Sequence, residues 1–344
     1  MNKRILPPEW NHLSGVQLTW PHKNSDWAYM LPEVEACFLR LATEISKRTH
    51  LIIVTPFVEE VKEAIASHLD LSNVTLFECD TNDTWALDHG AITCYDDGNP
   101  VILDFKFNGW GLKFAANADN LITHQMFDAN LFNRTYENRL NFVLEGGSIE
   151  SDGKGTLLTT SECLLSKNRN GEWNKDQIEQ YLKEVFNLQQ VLWVNHGYLA
   201  GDDTDSHIDT LVRMCPNDTL VYVKCNDPTD EHFEALKAME IELESFRTME
   251  GNPYRLIALP MAESIIEEGE RLPATYANFL IVNDVLLFPT YNQPINDQRA
   301  KEVLSEAFPG YEIIGIDCCP LIKQHGSLHC VTMQYPDKAI RIKK

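Results

Sequence analysis

Apolar positions along the 344-residue chain switch between two periods, and each switch marks a change of element. Val34, Cys37, Phe38, Leu41 and Ile45 recur every three or four residues, which puts them on one stripe of a helix over 32–47. The apolar run 51–55 reads as a buried strand behind it. Further helices are predicted over 58–69, 119–135, 175–186, 230–246 and 296–308. Strands are predicted over 74–78, 91–95, 101–105, 141–150, 156–160, 191–194, 207–213, 219–224, 255–259, 279–282, 285–288, 311–316 and 328–334. Asp96-Asp97-Gly98-Asn99 and Asn283-Asp284 tolerate positive φ and predict tight hairpin turns. Two strands, a helix and a further strand recur about five times without a Pro/Gly/Ser-rich boundary. That periodicity predicts an α/β fold of one domain, 1–344, whose ββαβ units close around an axis. A conventional doubly wound sheet is the alternative.

Charge narrows the function. Lys and Arg number 29 against 51 Asp and Glu, a formal charge of −22. A field this negative repels phosphate backbones and draws in small cations, so no nucleic-acid partner is expected. The opening MNKRILPPEWNHLSG meets Pro7, Pro8 and Glu9 before an apolar leader could develop, and no apolar run reaches about 18 residues. A cytoplasmic protein without a membrane partner is expected. The nine cysteines are odd in number, dispersed, and lack a C-x-x-C pair, which argues against a disulfide framework or a zinc ribbon.

Four segments carry candidate chemistry. In Asp205-Ser206-His207-Ile208-Asp209-Thr210, a spacing of two on a strand would turn His207 and Asp209 to one face, an acid–base imidazole beside a carboxylate. Cys330 follows the Gly326-Ser327 turn as a candidate nucleophile; on a strand its neighbour His329 would face the other way, which favours His207 as the base. The same alternation disfavours zinc shared by His207, His329 and Cys330, and no metal is expected. The loop 80–90 gathers Asp80, Asp83, Asp88 and Trp85 after a strand, either a binding loop or an Asx-rich turn. Glu145-Gly146-Gly147-Ser148 is a bulge aiming Glu145 inward or a tight bend, and Asn108-Gly109-Trp110-Gly111 lacks the spacing of a phosphate loop or dinucleotide fingerprint.

Taken in order, Leu6-Pro7-Pro8-Glu9-Trp10, Asn82-Asp83-Thr84-Trp85 with Asp88 and Gly90, Leu144-Glu145-Gly146-Gly147-Ser148, His207-Ile208-Asp209 and His329-Cys330 resemble agmatine deiminases. So do Tyr276-Ala277-Asn278-Phe279 and Phe308-Pro309-Gly310, so the likeness runs the length of the chain. Bacterial peptidylarginine deiminases share the wider family. Two departures stand out: Leu87-Asp88-His89-Gly90-Ala91 replaces the family's Arg-Asp-x-Gly-Pro, and His325-Gly326-Ser327-Leu328-His329-Cys330 replaces Gly-Gly-Gly-Asn-Ile-His-Cys. Both put the pocket wall around the substrate tail in question.

The resemblance implies a five-bladed α/β propeller and a guanidine substrate. It implies that Asp88 and Asp209 hold the guanidinium, that Cys330 attacks its carbon to form an S-alkylthiouronium, and that His207 serves as acid and then base, with Glu145 completing the carboxylate set. Trp85, Trp110, Asp83 and Asn278 are the expected substrate-binding residues, and no metal or organic cofactor is required. A tail ending in an amine rather than a carboxylate suits loops with little basic character, so agmatine is the expected substrate and N-carbamoylputrescine the expected product. Free or peptidyl arginine, another amidine, and a guanidine- or polyamine-binding protein without turnover remain alternatives. Self-association is left open.

Overall fold

The computed structural model describes residues 4–133 and 135–342. Residues 1–3 of the stretch read for a leader lie outside the described residues. Among the described residues, five separate sheets of three or four strands carry the fold, with one further hairpin, Ile266–Glu267 with Glu270–Arg271, and none of these sheets closes on itself. In each of the five, an antiparallel first pair is followed by a parallel strand reached over a helix. One sheet runs Ile92–Asp96, Asn99–Lys106, Thr135–Val143, with Arg4–Ile5 on its edge. The next three run Ile149–Ser151, Thr156–Thr160, Gln190–Val194; then Val212–Cys215, Thr219–Lys224, Arg255–Pro260; then Leu280–Val282, Val285–Thr290, Glu312–Asp317. Their crossover helices are Asp119–Asp128, Lys175–Phe186, Phe233–Ser245 and Pro294–Ala307.

The remaining sheet joins the two ends of the chain. Leu13–Thr19, His50–Thr55 and Val74–Glu78 are parallel, and Thr332–Pro336 pairs antiparallel with Leu13–Thr19 in the place that the other sheets give to their first strand. The repeated ββαβ order read from hydrophobic periodicity is therefore present five times, once split between the ends.

Local chemistry explains the elements. Leu31–Ser46 starts with a proline in its first turn and buries Val34, Cys37, Phe38, Leu41, Ala42 and Ile45 on one face, against the fully buried strand His50–Thr55. Asp97 (φ 47°) and Gly98 (φ 79°) form the two-residue hairpin loop with both positions left-handed, which is why Asp-Gly stands there.

Four expected elements differ, and three of the differences matter to function. The strand read over 207–213 begins only at Val212; His207 precedes a 3₁₀ turn, Ile208–Thr210. Short polar side chains divert the backbone: Asp202 Oδ2 accepts from Ser206 N (2.7 Å), and Thr204 Oγ1 accepts from His207 N (3.0 Å). The strand read over 328–334 starts at Thr332, because the Asn278 side chain accepts from His329 N (2.8 Å) and Cys330 N (3.3 Å) and holds 328–330 as a turn. The strand read over 141–150 is broken by the 3₁₀ turn Gly146–Ser148. The helix read over 119–135 ends at Asp128, and residue 134 lies outside the described residues.

Candidate active site

Each ββαβ unit is preceded by a turn, and the candidate residues sit on these turns. Asp88 lies on Ala86–His89, Glu145 and Gly147 at Gly146–Ser148, His207 and Asp209 at Ile208–Thr210, Asn278 just before Leu280–Val282, and Cys330 just before Thr332–Pro336. Segments about 60 residues apart thus meet because the sheets repeat, not because any one strand presents two of them.

Gly147 marks the meeting point. A Cβ there would stand 2.6 Å from His207 Nδ1, 3.1 Å from Asp88 Oδ1 and 3.2 Å from Asp209 Oδ1. Asp88 is oriented by donors on both oxygens, Gly147 N to Oδ1 (3.2 Å) and Trp110 Nε1 to Oδ2 (2.9 Å). Trp110 gets there through a left-handed stretch over Gly109, Trp110 and Gly111 (φ 68°, 53° and 83°). Asp209 Oδ2 accepts from Asn278 Nδ2 (3.0 Å) and pairs with His329 Nδ1 (2.8 Å), and Cys330 Sγ lies 3.9 Å away. Of the buried side-chain polar atoms without a hydrogen-bond partner among the described residues, three gather at this point: His207 Nδ1, His207 Nε2 and Asp209 Oδ1. His207 Nδ1 is 3.6 Å from Asp88 Oδ1, too long for a hydrogen bond. Buried polar atoms are seldom left unpaired, so three around one point define a place for a ligand with several N–H donors.

The ionisation of the site follows from burial and like charge. Burial, then the charges of Asp209 and Glu145, push the Asp88 carboxyl well above its usual range. Burial, Asp209 and Asp88 do the same to the Cys330 thiol. Burial, then Arg169, Lys113 and His329, push His207 well down, so its imidazole is neutral. The site holds a thiol and a neutral base beside the raised Asp88 carboxyl, and an arriving cation would favour the thiolate and the Asp88 carboxylate.

A cavity of about 180 Å³ opens from Cys330 and Asp88 to the surface. Trp85, Trp110 and Phe114 line it together with Asp26, Asp83 and Asp203, and among the described residues no Lys or Arg lines it. Burial, despite a hydrogen bond from Thr84, raises Asp83 to about 6. Gly326 also lines the cavity, where a Cβ would stand 2.1 Å from the Trp85 ring. Leu87, the other departure, faces a different cavity beside Leu6, Pro7 and Pro8, so it leaves this wall untouched.

Four of the expected site residues, His207, Asp209, Glu145 and Asn278, stand behind the cavity rather than on its lining, and for the last two this corrects the expectation. Glu145 does not line the cavity: it is fully buried, and both its oxygens accept from Arg169 Nε (2.9 and 3.1 Å), so its charge is engaged by a cation within the protein. Asn278 does not line it either; its amide is consumed by Asp209, Cys330 and the backbone of His329, a bracing position. Cys330 is only 4% accessible and is reached through the cavity. Arg169, invisible in the surface-like run Lys167-Asn168-Arg169-Asn170, was missed, as were Asp26, Asp203 and Phe114. Glu145, Cys163 and His207 offer ligand atoms within 4.8 Å of one another, the one such group among the described residues, but Arg169 already neutralises Glu145.

Comparison with known proteins places this geometry. Residues 5–336 match the family described as Porphyromonas-type peptidyl-arginine deiminase. A solved structure of a provisionally named arginine deiminase from Porphyromonas gingivalis is 53% identical, with a TM-score of 0.94 over 98% of this chain and 100% of that one. Substrate-bound agmatine deiminase from C. jejuni is 37% identical, with a TM-score of 0.91 over 99% of this chain and 98% of the other. A provisionally named agmatine deiminase from Shewanella baltica (strain OS223) is 33% identical over 96% of this chain and 94% of its own length.

Proposed function

The chain belongs to the Porphyromonas-type peptidyl-arginine deiminase family, hydrolases of a guanidino C–N bond, and we propose that it converts agmatine and water to N-carbamoylputrescine and ammonia through a covalent cysteine intermediate. The observation that carries the proposal is a cavity lined by Asp88 and Cys330, with no Lys or Arg among its described lining residues, next to the three unpartnered buried atoms of His207 and Asp209 around Gly147. A guanidinium is planar, stays protonated, and offers five N–H donors where Asp209 Oδ1 and the Asp88 carboxylate converge. At the other end an ammonium would meet Asp26, Asp83 and Asp203, with the Trp85 and Trp110 rings along the alkyl chain. The carboxylate of free arginine would meet those acids, and among the described residues no Lys or Arg lines the cavity to receive it, which disfavours arginine despite the arginine deiminase name of one relative.

The chemistry follows in two halves. The bound cation favours loss of the Cys330 proton to neutral His207, and the thiolate attacks the guanidinium carbon. His207 then protonates the departing nitrogen, which leaves as ammonia, and the carbon remains bonded to sulfur as a thiouronium. His207 next removes a proton from the attacking water. Collapse of that adduct breaks the C–S bond, the ureido carbonyl forms, and the thiolate recovers a proton from His207. The remaining hydroxyl proton leaves with ammonia as ammonium. Asp88 and Asp209 hold the carbon in line throughout.

We further propose a single catalytic domain across the chain, its five ββαβ units standing as blades of an α/β propeller, and a cytoplasmic setting, since nine free thiols suit a reducing compartment. Among the described residues no helix is long and apolar enough to cross a membrane. The function is tested by assaying ammonia and ureido product from agmatine, free arginine and a blocked arginine peptide, with Cys330→Ser in parallel. Agmatine is expected to give the highest kcat/KM, and Cys330→Ser to give no product while staying folded. Turnover by that variant, or preference for arginine, would overturn the reading.

A further inference from the structure

Glu9, in the segment Leu6-Pro7-Pro8-Glu9-Trp10, touches no part of the substrate cavity, yet it reaches the back of the site. Its Oε1 lies 2.9 Å from His329 Nε2, and its Oε2 pairs with Arg213 Nη2. His329 turns its other nitrogen, Nδ1, to Asp209 Oδ2 at 2.8 Å. Arg213 in turn donates to the carbonyls of Ala277 (2.9 Å) and Phe279 (2.6 Å), the residues on either side of Asn278. Both routes from Glu9 therefore end on the two groups that bracket the nucleophile, Asn278 Nδ2 at 3.3 Å from Cys330 Sγ and Asp209 Oδ2 at 3.9 Å.

We infer that Glu9 and His329 form a positioning pair that fixes Asp209, and through it the Cys330 thiol, in the geometry needed for attack. The inference rests on the deiminase reading above. His329 is not a second base: both its ring nitrogens are engaged by carboxylates, and neither faces the sulfur. By occupying Asp209 Oδ2 together with Asn278, it leaves Oδ1 as the free oxygen above Gly147, where a guanidinium would lie.

The arrangement needs an imidazolium, because only with protons on both nitrogens can the ring donate to Glu9 and Asp209 together. The groups facing His329 are Asp209 and Glu9 through these bonds, Arg213 at 3.4 Å, and Asn278 through the backbone of 329, with Glu150 one step behind, 2.5 Å from Arg213 Nε. Burial and Arg213 act against the charge, but Glu9 and Asp209 outweigh them and raise His329 to about 9. Glu9 is itself held at about 2, since Arg213 and His329 overcome the effect of its burial. Above about pH 9 the ring gives up one proton, one of its two nitrogens turns a lone pair to the carboxylate it faced, and the Glu9–His329–Asp209 chain is broken at one link.

The test is the pH profile of kcat and KM for agmatine, compared between the wild-type chain and Glu9→Gln, with the rate of Cys330 alkylation by a chloroacetamidine probe measured on the same samples. Glu9→Gln removes one of the two anions that sustain the imidazolium. Its alkaline limb is expected to move down by about one pH unit or more, with kcat reduced about 10- to 100-fold by misplacement and KM nearly unchanged. A variant with wild-type kcat and an unmoved limb would overturn the inference. If Glu9→Gln does not fold, the wild-type profile still decides: alkylation by the cationic probe should decline above about pH 9, and a steady climb to pH 10 would refute the pair. Alkylation does not depend on turnover, so a chain that deiminates no guanidine would count against the proposed function without touching this result.

Discussion

Gly147 and Gly146 adjoin, yet replacing each by alanine should have opposite consequences. At Gly147→Ala the new methyl stands 2.6 Å from His207 Nδ1, against roughly 3.5 Å for an unstrained contact, so something must move by roughly 1 Å. The His207 ring has no hydrogen bond to break, so the move is cheap, at the low end of the roughly 1–3 kcal/mol typical of overpacking. For a chain this long that lowers the melting temperature by about 2 °C or less. The catalytic loss is far larger. A 1 Å displacement of an acid–base group is worth about 10²-fold, and the methyl occupies the place where Asp88 and Asp209 would meet the guanidinium, so kcat/KM for agmatine should fall by about 10³-fold or more. At Gly146→Ala the Cβ would instead stand 2.3 Å from the carbonyl oxygen of Leu87, which is main chain and cannot swing aside. That variant should lose stability toward about 3 kcal/mol, and its activity should fall with its fold. Ammonia release and calorimetry on both proteins separate the outcomes. A folded Gly147→Ala chain with kcat/KM within tenfold of wild type would refute the placement of the guanidinium.

Two further outcomes follow from buried groups. His89 is 3% exposed and burial lowers it from 6.5 to about 3, so its folded value lies below its unfolded one: the stability it contributes is complete above about pH 6.5 and is lost as pH falls toward 3. At about 1.4 kcal/mol per pH unit, His89→Gln should flatten the acid-side fall in melting temperature by the equivalent of about 2 kcal/mol at pH 5; parallel curves for the two proteins would contradict it. Gly326→Ala drives a methyl into the Trp85 ring at 2.1 Å, and that ring packs on Trp27 with centroids 5.8 Å apart, so the wall must shift; KM for agmatine should rise while Cys330 alkylation by small neutral reagents changes little, and an unchanged KM would show that Trp85 does not meet the substrate.

The order of elements was legible because apolar periodicity is a local property: the stripe from Val34 to Ile45, the run of His50–Thr55 and the Asp97-Gly98 turn each depend on neighbours in sequence. The site residues were legible mainly as motifs, and their conformation was not. A period-two reading put His207 and Asp209 on a strand face, yet Asp202, Thr204 and Ser206 fold that segment into turns by side-chain bonds that periodicity does not register. Glu145 carried no sign of Arg169, whose side chain is fully buried although its sequence neighbours are those of a surface loop. Glu9 was visible as part of a motif without a use, because its partners Arg213 and His329 lie more than 200 residues away.

Thr332–Pro336 fills a position in the sheet that Leu13–Thr19 begins, and Cys330 stands two residues before it. During synthesis the sulfur is thus made after every other member of the constellation, and it reaches its bracket only after Thr332–Pro336 has docked on a strand that left the ribosome long before. Any nascent or clipped chain that stops short of that docking carries every other member of the constellation and no way to react. A cell would thereby be spared a half-built molecule trapping amidines irreversibly on an unguarded thiolate.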